Sequence, residues 1–406
     1  MSEHPIVIVG AGHAGGRAAE SLRSAGHKGP ITLVGTETHP PYERPPLSKE
    51  LLAGAIAVEK TYLRPLSYYS ENGIELRLGA EAVGIDRRAQ TITLKDGQKL
   101  PYDALLFTTG ARARRLPIPG GDGTRVLYLR DIDDSLKLRE ALQPGIRLAV
   151  IGAGFIGLEV AATAKKRGAS VTVLELAPQV LARVAPPEIA AHVAALHAKN
   201  GVLVRTGVAV TDIEESGAGV VLKTKDGESI VADLVAIGVG AMPNSELAAA
   251  AGLSVQDGIV VDEFGRTSDP LIYAAGDVTR HFNPLVGRAI RLEAWQNAQN
   301  QAIAVAKIMA GGTEPFCEVP WFWTDQFDMN LQTAGAPAGW DKLVWRGGPD
   351  DPGFTVFHLA DGKPVAATTV NNARDMRFAR MLIQRGQAVD PAALADKAVK
   401  LQDLAR

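Results

Sequence analysis

Residues 6–15 read IVIVGAGHAG, a short apolar run that passes directly into a glycine-rich turn. Four β-branched residues in a row suit a strand that is buried on both faces, and a helical pattern follows over residues 17–25. Gly10, Gly12 and Gly15 have the spacing G-x-G-x-x-G, which allows a tight turn, close approach of a ligand to the backbone and packing of a helix on a strand. This stretch predicts a βαβ unit with an anion site at the helix N-terminus.

The residues after this unit indicate a dinucleotide as its ligand. A second strand is predicted at residues 31–34, and Glu37 follows it at the distance from the glycines at which a carboxylate meets a ribose hydroxyl. The alternative is a glycine-rich turn without a ligand. Strand, glycines, helix, strand and acid in this order favour the dinucleotide.

A second fingerprint occurs at residues 147–157, which read RLAVIGAGFIG. Glu175 ends the next predicted strand, where a carboxylate accepts both ribose hydroxyls and repels a 2′-phosphate. We therefore expect NADH rather than NADPH, although Arg183 weakens this preference slightly, because a nearby arginine can serve a 2′-phosphate. One chain with two such units predicts two dinucleotides.

Composition limits the remaining function classes. A chain of 406 residues with 46% hydrophobic and 22% charged residues predicts two or three globular domains. The net charge of −2 predicts no general affinity for nucleic acid or anionic membranes. No apolar run is long enough for a membrane span, and the N-terminus enters a strand without a signal peptide, so we expect a cytoplasmic protein. Cys317 is the sole cysteine, which excludes an internal disulfide, a Cys-x-x-Cys pair and a cysteine zinc site.

Residues 42–49, YERPPLSK, place two cations beside a double proline. The prolines stiffen the loop, so it presents Arg44 and Lys49 on a fixed support. We interpret these residues as a cationic wall that faces a flavin; the alternative is a surface loop with solvated side chains.

Further candidates lie where predicted strands end, since ligands gather at the carboxyl ends of parallel strands. These are Thr109 and Gly110, then Gly238, Val239 and Gly240, and then Gly276 and Asp277. A helix begins near Glu293, Ala294 and Trp295, and the part beyond residue 319, with strand-like spacing and a helix at residues 373–385, predicts a third, smaller domain.

The whole chain resembles a known family in the order and spacing of its motifs. Besides the two fingerprints, these are RPPLSK at 44–49, YAAGD at 273–277, EAWQNA at 293–298 and PWFWTDQ at 320–326. Together they resemble the NADH-dependent ferredoxin reductases of bacterial oxygenase systems, of the putidaredoxin reductase and biphenyl dioxygenase reductase types. The resemblance implies an α/β protein with the glutathione-reductase fold, in which two Rossmann-like domains precede a C-terminal α+β interface domain. It places an FAD domain at residues 1–110 and 240–317, an NADH domain at 111–239 and the interface domain at 318–406.

The resemblance also implies roles for individual residues. It puts the FAD diphosphate at Gly10, Gly12 and Gly15, the ribose at Glu37, the ribityl or phosphate region at Asp277 and the helix near Trp295 at the flavin pyrimidine edge. The remaining residues expected at FAD are His13, Ala14, Val83, Thr109, Gly110, Gly276, Glu293, Ala294 and Trp323, with Arg44 and Lys49 at the flavin. Those expected at NADH are Gly152, Gly154, Phe155, Ile156, Gly157, Glu159, Glu175, Arg183, Gly238, Val239 and Gly240.

Lys49 and Glu159 are expected to pair beside flavin N5, with an ordinary interdomain salt bridge as the alternative. Trp323, with Trp295, is a candidate aromatic group on the electron-exit side, although packing in the interface domain explains both equally well. No side chain needs to act as a nucleophile, and no metal site is expected.

The implied activity is hydride transfer from NADH to FAD, followed by single-electron transfer to a [2Fe–2S] ferredoxin that serves a cytochrome P450 or a Rieske oxygenase. Ferredoxins are usually acidic, so we expect transient electrostatic docking on basic residues by a monomer or weak dimer. The candidates for this basic patch are Arg64, Arg288, Lys342, Arg374, Arg377 and Arg380.

Two other enzyme types of this fold and one flavoprotein of a different functional class are the alternatives. A disulfide or peroxide reductase needs a cysteine near the flavin, where this chain has Pro46, Leu47, Ser48 and Lys49. A monodehydroascorbate-reductase type has a similar cysteine-free loop and stays open. A redox-sensing flavoprotein like apoptosis-inducing factor also stays open, although its targeting segment, long C-terminal insertion and basic surface are not evident in this sequence.

Overall fold

Two parallel five-stranded sheets, each built around one glycine-rich turn, form the larger part of the structure. The computed structural model describes residues 3–217, 219–336 and 339–405. A third, antiparallel five-stranded sheet is formed by the C-terminal part of the chain.

The first segment contains the first glycine turn. Two 3₁₀ turns, Pro45–Ser48 and Val58–Thr61, interrupt it. Its regular elements are β1 (Ile6–Val9), α1 (His13–Ser24), β2 (Ile31–Val34), α2 (Glu50–Ala53), α3 (Leu66–Glu71), β3 (Ile74–Arg77), β4 (Ala82–Asp86), β5 (Thr91–Leu94), β6 (Lys99–Pro101) and β7 (Ala104–Phe107).

The second segment repeats this arrangement around the second glycine turn. Its elements are β8 (Ala111–Ala113), β9 (Val126–Tyr128), α4 (Ile132–Ala141), β10 (Arg147–Ile151), α5 (Phe155–Lys166), β11 (Ser170–Glu175), α6 (Pro187–Lys199), β12 (Leu203–Thr206), β13 (Val210–Ser216), β14 (Gly219–Thr224), β15 (Ser229–Ala232), β16 (Leu234–Ile237) and β17 (Ala241–Pro243).

The chain then returns to the first sheet before it forms the C-terminal unit. The returning elements are α7 (Glu246–Ala250), β18 (Ile259–Val261), β19 (Ile272–Ala274), β20 (Thr279–Asn283), β21 (Arg288–Ile290) and α8 (Trp295–Met309). The C-terminal unit contains β22 (Trp321–Gln326), β23 (Met329–Gly335), β24 (Lys342–Arg346), β25 (Phe354–Ala360), β26 (Lys363–Val370), α9 (Ala373–Arg385), α10 (Pro391–Ala395) and α11 (Leu401–Leu404).

Both parallel sheets place the strand before the glycine turn in their centre. The first has the order β19-β7-β1-β2-β3, and the second has the order β12-β11-β10-β16-β9. In the first sheet Ile6 and Ile8 pack towards α1 and α8, while Val7 and Val9 pack towards the β4-β5-β6 sheet. Burial on both faces explains why β1 reads as an uninterrupted apolar run. The predicted fold class is confirmed by this architecture.

The two connections between the first and second segments lie side by side. Strand β8 leaves the first sheet and β17 returns to it, and they pair antiparallel with Ala113 opposite Ala241. This ribbon lies next to the boundaries predicted at residues 110 and 240, which stay a prediction. The carboxyl edges of the two parallel sheets face each other, so both glycine turns lie along the same space.

The sequence anticipated most of the elements that carry the motifs. The helices predicted at residues 373–385 and from Trp295 to about residue 310 occur as α9 and α8. Helix α1 begins at His13, four residues before the predicted start. Its first turn packs closely on the end of β1, since a Cβ on Gly15 would lie 2.0 Å from the carbonyl oxygen of Gly10. Helices α4 and α6 were not predicted.

Candidate functional site

A continuous cleft of about 1250 Å³ runs between the two parallel sheets and reaches the C-terminal unit. Both glycine turns open into it. Residues expected at FAD that line the cleft are Gly10, Gly12, His13, Ala14, Glu37, Arg44, Lys49, Val83, Thr109, Gly110, Asp277, Glu293, Ala294, Trp295 and Trp323. Those expected at NADH are Gly154, Phe155, Ile156, Glu159, Arg183, Gly238 and Gly240.

The glycines of the first turn differ in why a side chain is absent: two are required by close backbone contacts, and one borders the cleft. Gly10 has a φ of +116°, and a Cβ there would lie 2.2 Å from the carbonyl oxygen of Thr108. Gly15 is equally crowded, so both glycines are needed by the fold itself. Gly12 differs, because the nearest described atom to a Cβ would be a guanidinium nitrogen of Arg44 at 3.8 Å. The space beside Gly12 therefore belongs to the cleft, where a diphosphate fits.

The second turn repeats this division. A Cβ on Gly157 would lie 2.1 Å from the carbonyl oxygen of Gly152, and one on Gly152 would lie 2.5 Å from that of Gly238. Around Gly154, the described residues leave a Cβ with no heavy atom within 4 Å. Gly154 also precedes α5, whose N-terminal N–H groups face the cleft. A second diphosphate fits here, as at the first turn.

Arg44 lies with Glu37 rather than with Lys49. Its guanidinium is 2.8 Å from the Glu37 carboxylate, and Nη1 donates to the Tyr42 hydroxyl at 2.9 Å. The Tyr42 hydroxyl in turn donates to Glu37 at 2.5 Å. The expectation that Arg44 and Lys49 form one cationic wall therefore changes: Arg44 is held beside Gly12, at the predicted diphosphate and ribose, and Lys49 is held elsewhere.

Arg130 is a cleft residue that sequence reasoning missed. It follows β9, its Nη2 lies 3.1 Å from the Asp277 carboxylate, and its carbonyl oxygen accepts a hydrogen bond from Arg44. Burial raises the pKa of Asp277, and the Arg130 cation opposes that rise. No glycine or proline motif marks the segment that carries Arg130. Arg130 is identified as a cleft residue only by the tertiary structure, in which the end of β9 lies beside the carboxyl edge of the first sheet.

Lys49 and Glu159 meet as the resemblance implied, and three further side chains contact the pair. Lys49 Nζ lies 3.6 Å from Glu159 and 3.7 Å from Asp325. The Ser48 hydroxyl donates to one Glu159 oxygen at 2.5 Å, and the Thr324 hydroxyl donates to the other at 2.7 Å. The Glu159 side chain is 5% exposed. Burial raises its pKa, while Lys49 and the two hydroxyls oppose that rise.

An aromatic series crosses the end of the cleft next to the C-terminal unit. The ring of Trp295 lies 5.2 Å from His13 and 5.6 Å from Trp323, and Trp323 stacks on Trp321 at 5.1 Å. Lys49 Nζ lies 5.7 Å from the centre of the Trp323 ring. The predicted aromatic group at the cleft is therefore part of a row of rings that ends at Trp321, which packs against the C-terminal core.

His13 and Trp295 carry buried polar atoms that face the cleft. Among the described residues, neither ring nitrogen of His13 nor Nε1 of Trp295 has a hydrogen-bond partner. Burial lowers the pKa of His13 to about 3, with Arg17 and Arg44 adding to the effect, so the imidazole is neutral. Unpaired buried polar atoms at a cleft wall fit a bound ligand that supplies their partners.

Glu175, the acid of the second βαβ unit, is held by backbone N–H groups of that unit. Glu175 accepts a hydrogen bond from the Ala153 N–H at 2.6 Å and another from the Ala177 N–H at 2.8 Å. It therefore stays at the end of β11, beside the second glycine turn. Six expected residues do not line the cleft: Gly15, Gly152, Gly157, Glu175, Val239 and Gly276.

Two glycine turns that open into one cleft, with a buried lysine–glutamate pair and a tryptophan row at its end, define a two-dinucleotide oxidoreductase. A family profile described as pyridine nucleotide-disulphide oxidoreductase matches residues 4–302, and one described as reductase C-terminal matches residues 321–405. The chain belongs to the pyridine nucleotide-disulphide oxidoreductase family.

Curated relatives and solved structures extend this result over the full chain. The ferredoxin–NAD(+) reductase component of the anthranilate 1,2-dioxygenase system from Burkholderia cepacia is 44% identical over 99% of both chains. Putidaredoxin reductase from Pseudomonas putida is 40% identical over 98% of this chain and 96% of its own length. The structure of a covalent putidaredoxin reductase–putidaredoxin complex matches with a TM-score of 0.96 and 40% identity over 100% of this chain and 98% of the other.

These findings confirm the family that the motifs resemble and the assignment to the ferredoxin–NAD(+) reductase class of oxidoreductases. The prediction of FAD and NADH as cofactors is confirmed at the level of the family, and the cleft of this chain has space for both at Gly12 and Gly154. The roles of individual residues stay predictions.

Proposed function

We propose that this chain takes electrons from NADH through FAD and passes them singly to a [2Fe–2S] ferredoxin that serves a cytochrome P450 or a Rieske oxygenase. The observation that carries the proposal is the shared cleft, which brings both glycine turns to the buried Lys49–Glu159 pair. Hydride transfer and single-electron release are the chemistry that NADH and FAD supply when bound. The protein supplies binding, orientation and exclusion of water.

The residues of the first unit bind and orient FAD. Gly12 and the N-terminus of α1 leave room for its diphosphate, with Arg44 as the neighbouring cation. Glu37, held by Arg44 and Tyr42, is placed to accept ribose hydroxyls. Arg130 and Asp277 hold each other at the edge of the same sheet. Helix α8 points its N-terminus at the cleft, where a positive dipole end stabilises negative charge on a reduced flavin.

Lys49 and Glu159 are placed where the two cofactor sites converge. Lys49 is 14% exposed and lies between the carboxylates of Glu159 and Asp325 and the face of Trp323. A cation fixed in this position would help to hold the nicotinamide and flavin rings and would stabilise negative charge that develops there. Ser48 and Thr324 fix the Glu159 carboxylate, so Glu159 acts by positioning Lys49.

The tryptophan row marks the side from which electrons leave. Trp321, at its outer end, is covered by the Arg380 guanidinium at 5.5 Å. Arg374, Arg377 and Arg380 follow one another at intervals of three on α9, so they share one side of that helix. We propose this side as the centre of a basic patch for transient docking of an acidic ferredoxin. Arg64 instead pairs with Glu20 at 3.3 Å and lies over Tyr68, so its charge is partly compensated.

Location and assembly are part of the same proposal. None of the helices in the described residues is both long and apolar enough to span a membrane. We propose that the protein works in the cytoplasm as a monomer or a weak dimer, with the arginine side of α9 open to a ferredoxin. The chain has no cysteine in its 45–48 turn, and Cys317 is exposed, which argues against thiol chemistry at the flavin.

An anaerobic titration tests the proposal. The purified protein should show a flavin spectrum that NADH bleaches stoichiometrically and much faster than NADPH does. Addition of an oxidised acidic [2Fe–2S] ferredoxin should then restore the oxidised flavin spectrum. A protein without flavin absorbance, or one that reduces no such ferredoxin, would contradict the proposal. Slow flavin reduction with a long-lived charge-transfer band and a change in oligomeric state would favour a signalling flavoprotein instead.

A further inference from the structure

Arg183 lies in the NADH part of the cleft, but at a different strand from the one that the sequence suggests. It follows Glu175 by eight residues, and an arginine at this distance can reach a 2′-phosphate beside that acid. In the structure its guanidinium lies beside Gly240 instead. A methyl group on Gly240 would lie 3.5 Å from Nη2 and 3.7 Å from Nη1 of Arg183.

The sheet order shows how far this position is from Glu175. Glu175 ends β11, Gly240 follows β16, and β10 lies between these two strands. Two strand spacings separate the ends of β11 and β16 by about 10 Å. That is about one Debye length at physiological ionic strength, so a solvent-exposed charge at β16 interacts weakly with a phosphate at β11.

The backbone keeps Arg183 on this side. The Leu181 N–H donates to the carbonyl oxygen of Ala153 at 2.9 Å, which ties the segment to the second glycine turn. Leu181 is buried and has a φ of +51°, and the Val184 N–H donates back to its carbonyl oxygen at 2.9 Å. This turn fixes the backbone two residues before Arg183, whose guanidinium lies beside Gly240.

Arg183 is also free to bind an anion. It is exposed, and within the described part of the chain no ion pair or hydrogen bond engages its guanidinium. The open space at Gly154 and the first N–H groups of α5 line the same cleft. A dinucleotide bound with its ribose at Glu175 carries its diphosphate over this turn and towards β16.

We propose that Arg183 binds the diphosphate of the pyridine nucleotide and takes no part in recognising a 2′-phosphate. This inference rests on the proposed position of NADH in the cleft. It leaves the choice between NADH and NADPH to Glu175, which stays fixed at the ribose end by the Ala153 and Ala177 N–H groups. NADH and NADPH contain the same diphosphate group. Loss of Arg183 therefore weakens the binding of both nucleotides by the same factor.

The test is calorimetric titration of the oxidised, FAD-loaded protein with NAD⁺, NADP⁺, ADP and 2′,5′-ADP. Arg183→Gln should weaken the binding of NAD⁺ and ADP by about tenfold, as expected for a lost charge-assisted hydrogen bond. The binding of NADP⁺ and 2′,5′-ADP should weaken by the same factor. Arg183→Lys should retain part of the affinity for all four. Glu175→Gln should instead improve the binding of NADP⁺ relative to that of NAD⁺.

A control separates the local effect from the loss of one positive charge. Lys199 is exposed at the end of α6, by the edge of the second sheet opposite the cleft, and Lys199→Gln should leave all four affinities unchanged. A loss confined to NADP⁺ and 2′,5′-ADP, or a loss of less than about threefold for NAD⁺, would overturn the inference. Failure of the unaltered protein to bind NAD⁺ and ADP would overturn the position of NADH itself, and with it the proposed function.

Discussion

At the scale of single residues, the glycines of the two turns separate what the fold needs from what the ligands need. Gly10 and Gly12 are two residues apart, yet a methyl group on Gly10 would collide with Thr108, whereas one on Gly12 would enter the cleft. Gly12 also has a φ of −86°, which alanine adopts readily. The G-x-G-x-x-G spacing therefore combines two requirements: Gly10 is needed for the fold, and Gly12 leaves space for a ligand.

Gly12→Ala should fold normally and bind FAD at least about tenfold more weakly, because its methyl group occupies the space of the diphosphate. Gly10→Ala should give little folded protein, because both its φ of +116° and the contact with Thr108 oppose a side chain. Equilibrium FAD binding and thermal unfolding measure these effects. Gly348→Ala, which meets no described atom within 4 Å, is the control. Normal FAD affinity in Gly12→Ala would refute the diphosphate position.

Lys49→Met should slow the reduction of the flavin by NADH at least about tenfold while FAD stays bound, since the substitution keeps the volume and removes the cation. Stopped-flow measurement of flavin bleaching gives the rate, and the flavin spectrum reports the bound cofactor. Lys60→Met, at an exposed position of the Val58–Thr61 turn, is the matched control. An unchanged rate would return Lys49–Glu159 to an ordinary interdomain salt bridge.

At the scale of elements, helix α9 joins the C-terminal unit to the proposed docking surface. Its apolar side, with Met376, Ala379, Leu382 and Ile383, packs into the C-terminal core. The arginines at 374, 377 and 380 follow the other side of the helix. This amphipathic pattern is why sequence alone predicted the helix with its observed bounds.

Reversal of the three α9 arginines to glutamate should lower the rate of ferredoxin reduction about tenfold or more at low ionic strength, with a smaller effect in high salt. Reduction of the flavin by NADH should not change, because none of the three lines the cleft. The control reverses the exposed lysines Lys99, Lys199 and Lys225, which changes the net charge equally. Equal effects of both triple variants would show that net charge, and not the α9 surface, governs docking.

At the scale of the whole molecule, Glu159 joins the three proposed domains. Ser48 belongs to the first, Glu159 to the second and Thr324 to the third, and both hydroxyls donate to this one carboxylate. The Thr163 hydroxyl adds a bond to the Ser48 carbonyl oxygen at 2.7 Å. A buried group with partners from all three units makes their relative positions sensitive to its charge.

Glu159→Gln should make the protein more heat-stable than the unaltered chain at pH 8, with little difference at pH 5. Burial raises the pKa of Glu159 above its ordinary value of 4.5, so the folded state holds this proton more tightly than the unfolded state. The resulting contribution to stability is complete below the unfolded pKa and is lost as the pH rises through the folded pKa. Glutamine does not titrate and avoids this loss.

Thermal unfolding of the FAD-loaded protein between pH 5 and pH 8.5 measures this difference. Glu71→Gln, at an exposed position on α3, is the control and should follow the unaltered chain at every pH. A difference between Glu159→Gln and the unaltered protein that stays constant or shrinks as the pH rises would contradict the raised pKa.

The sequence by itself determined the local chemistry of this protein. Spacing and order of glycines, apolar runs and acids were enough for both βαβ units, because strand, turn and helix of such a unit are neighbours in the chain. The cysteine-free turn at 45–48 and the RPPLSK and PWFWTDQ stretches were likewise readable, and they indicated the family correctly.

Only the tertiary structure decided which side chains share a position. Arg130 reaches Asp277 across 147 residues, Thr324 reaches Glu159 across 165, and Arg183 turns towards Gly240 instead of the nearer Glu175. These contacts depend on the order of strands in the sheets and on the antiparallel ribbon of β8 and β17. Neither feature leaves a local pattern in the sequence. Contacts between distant segments depend on how whole sheets pack, which is why the cleft and its Lys49–Glu159 pair could be expected, whereas the contacts of Arg130, Thr324 and Arg183 could not.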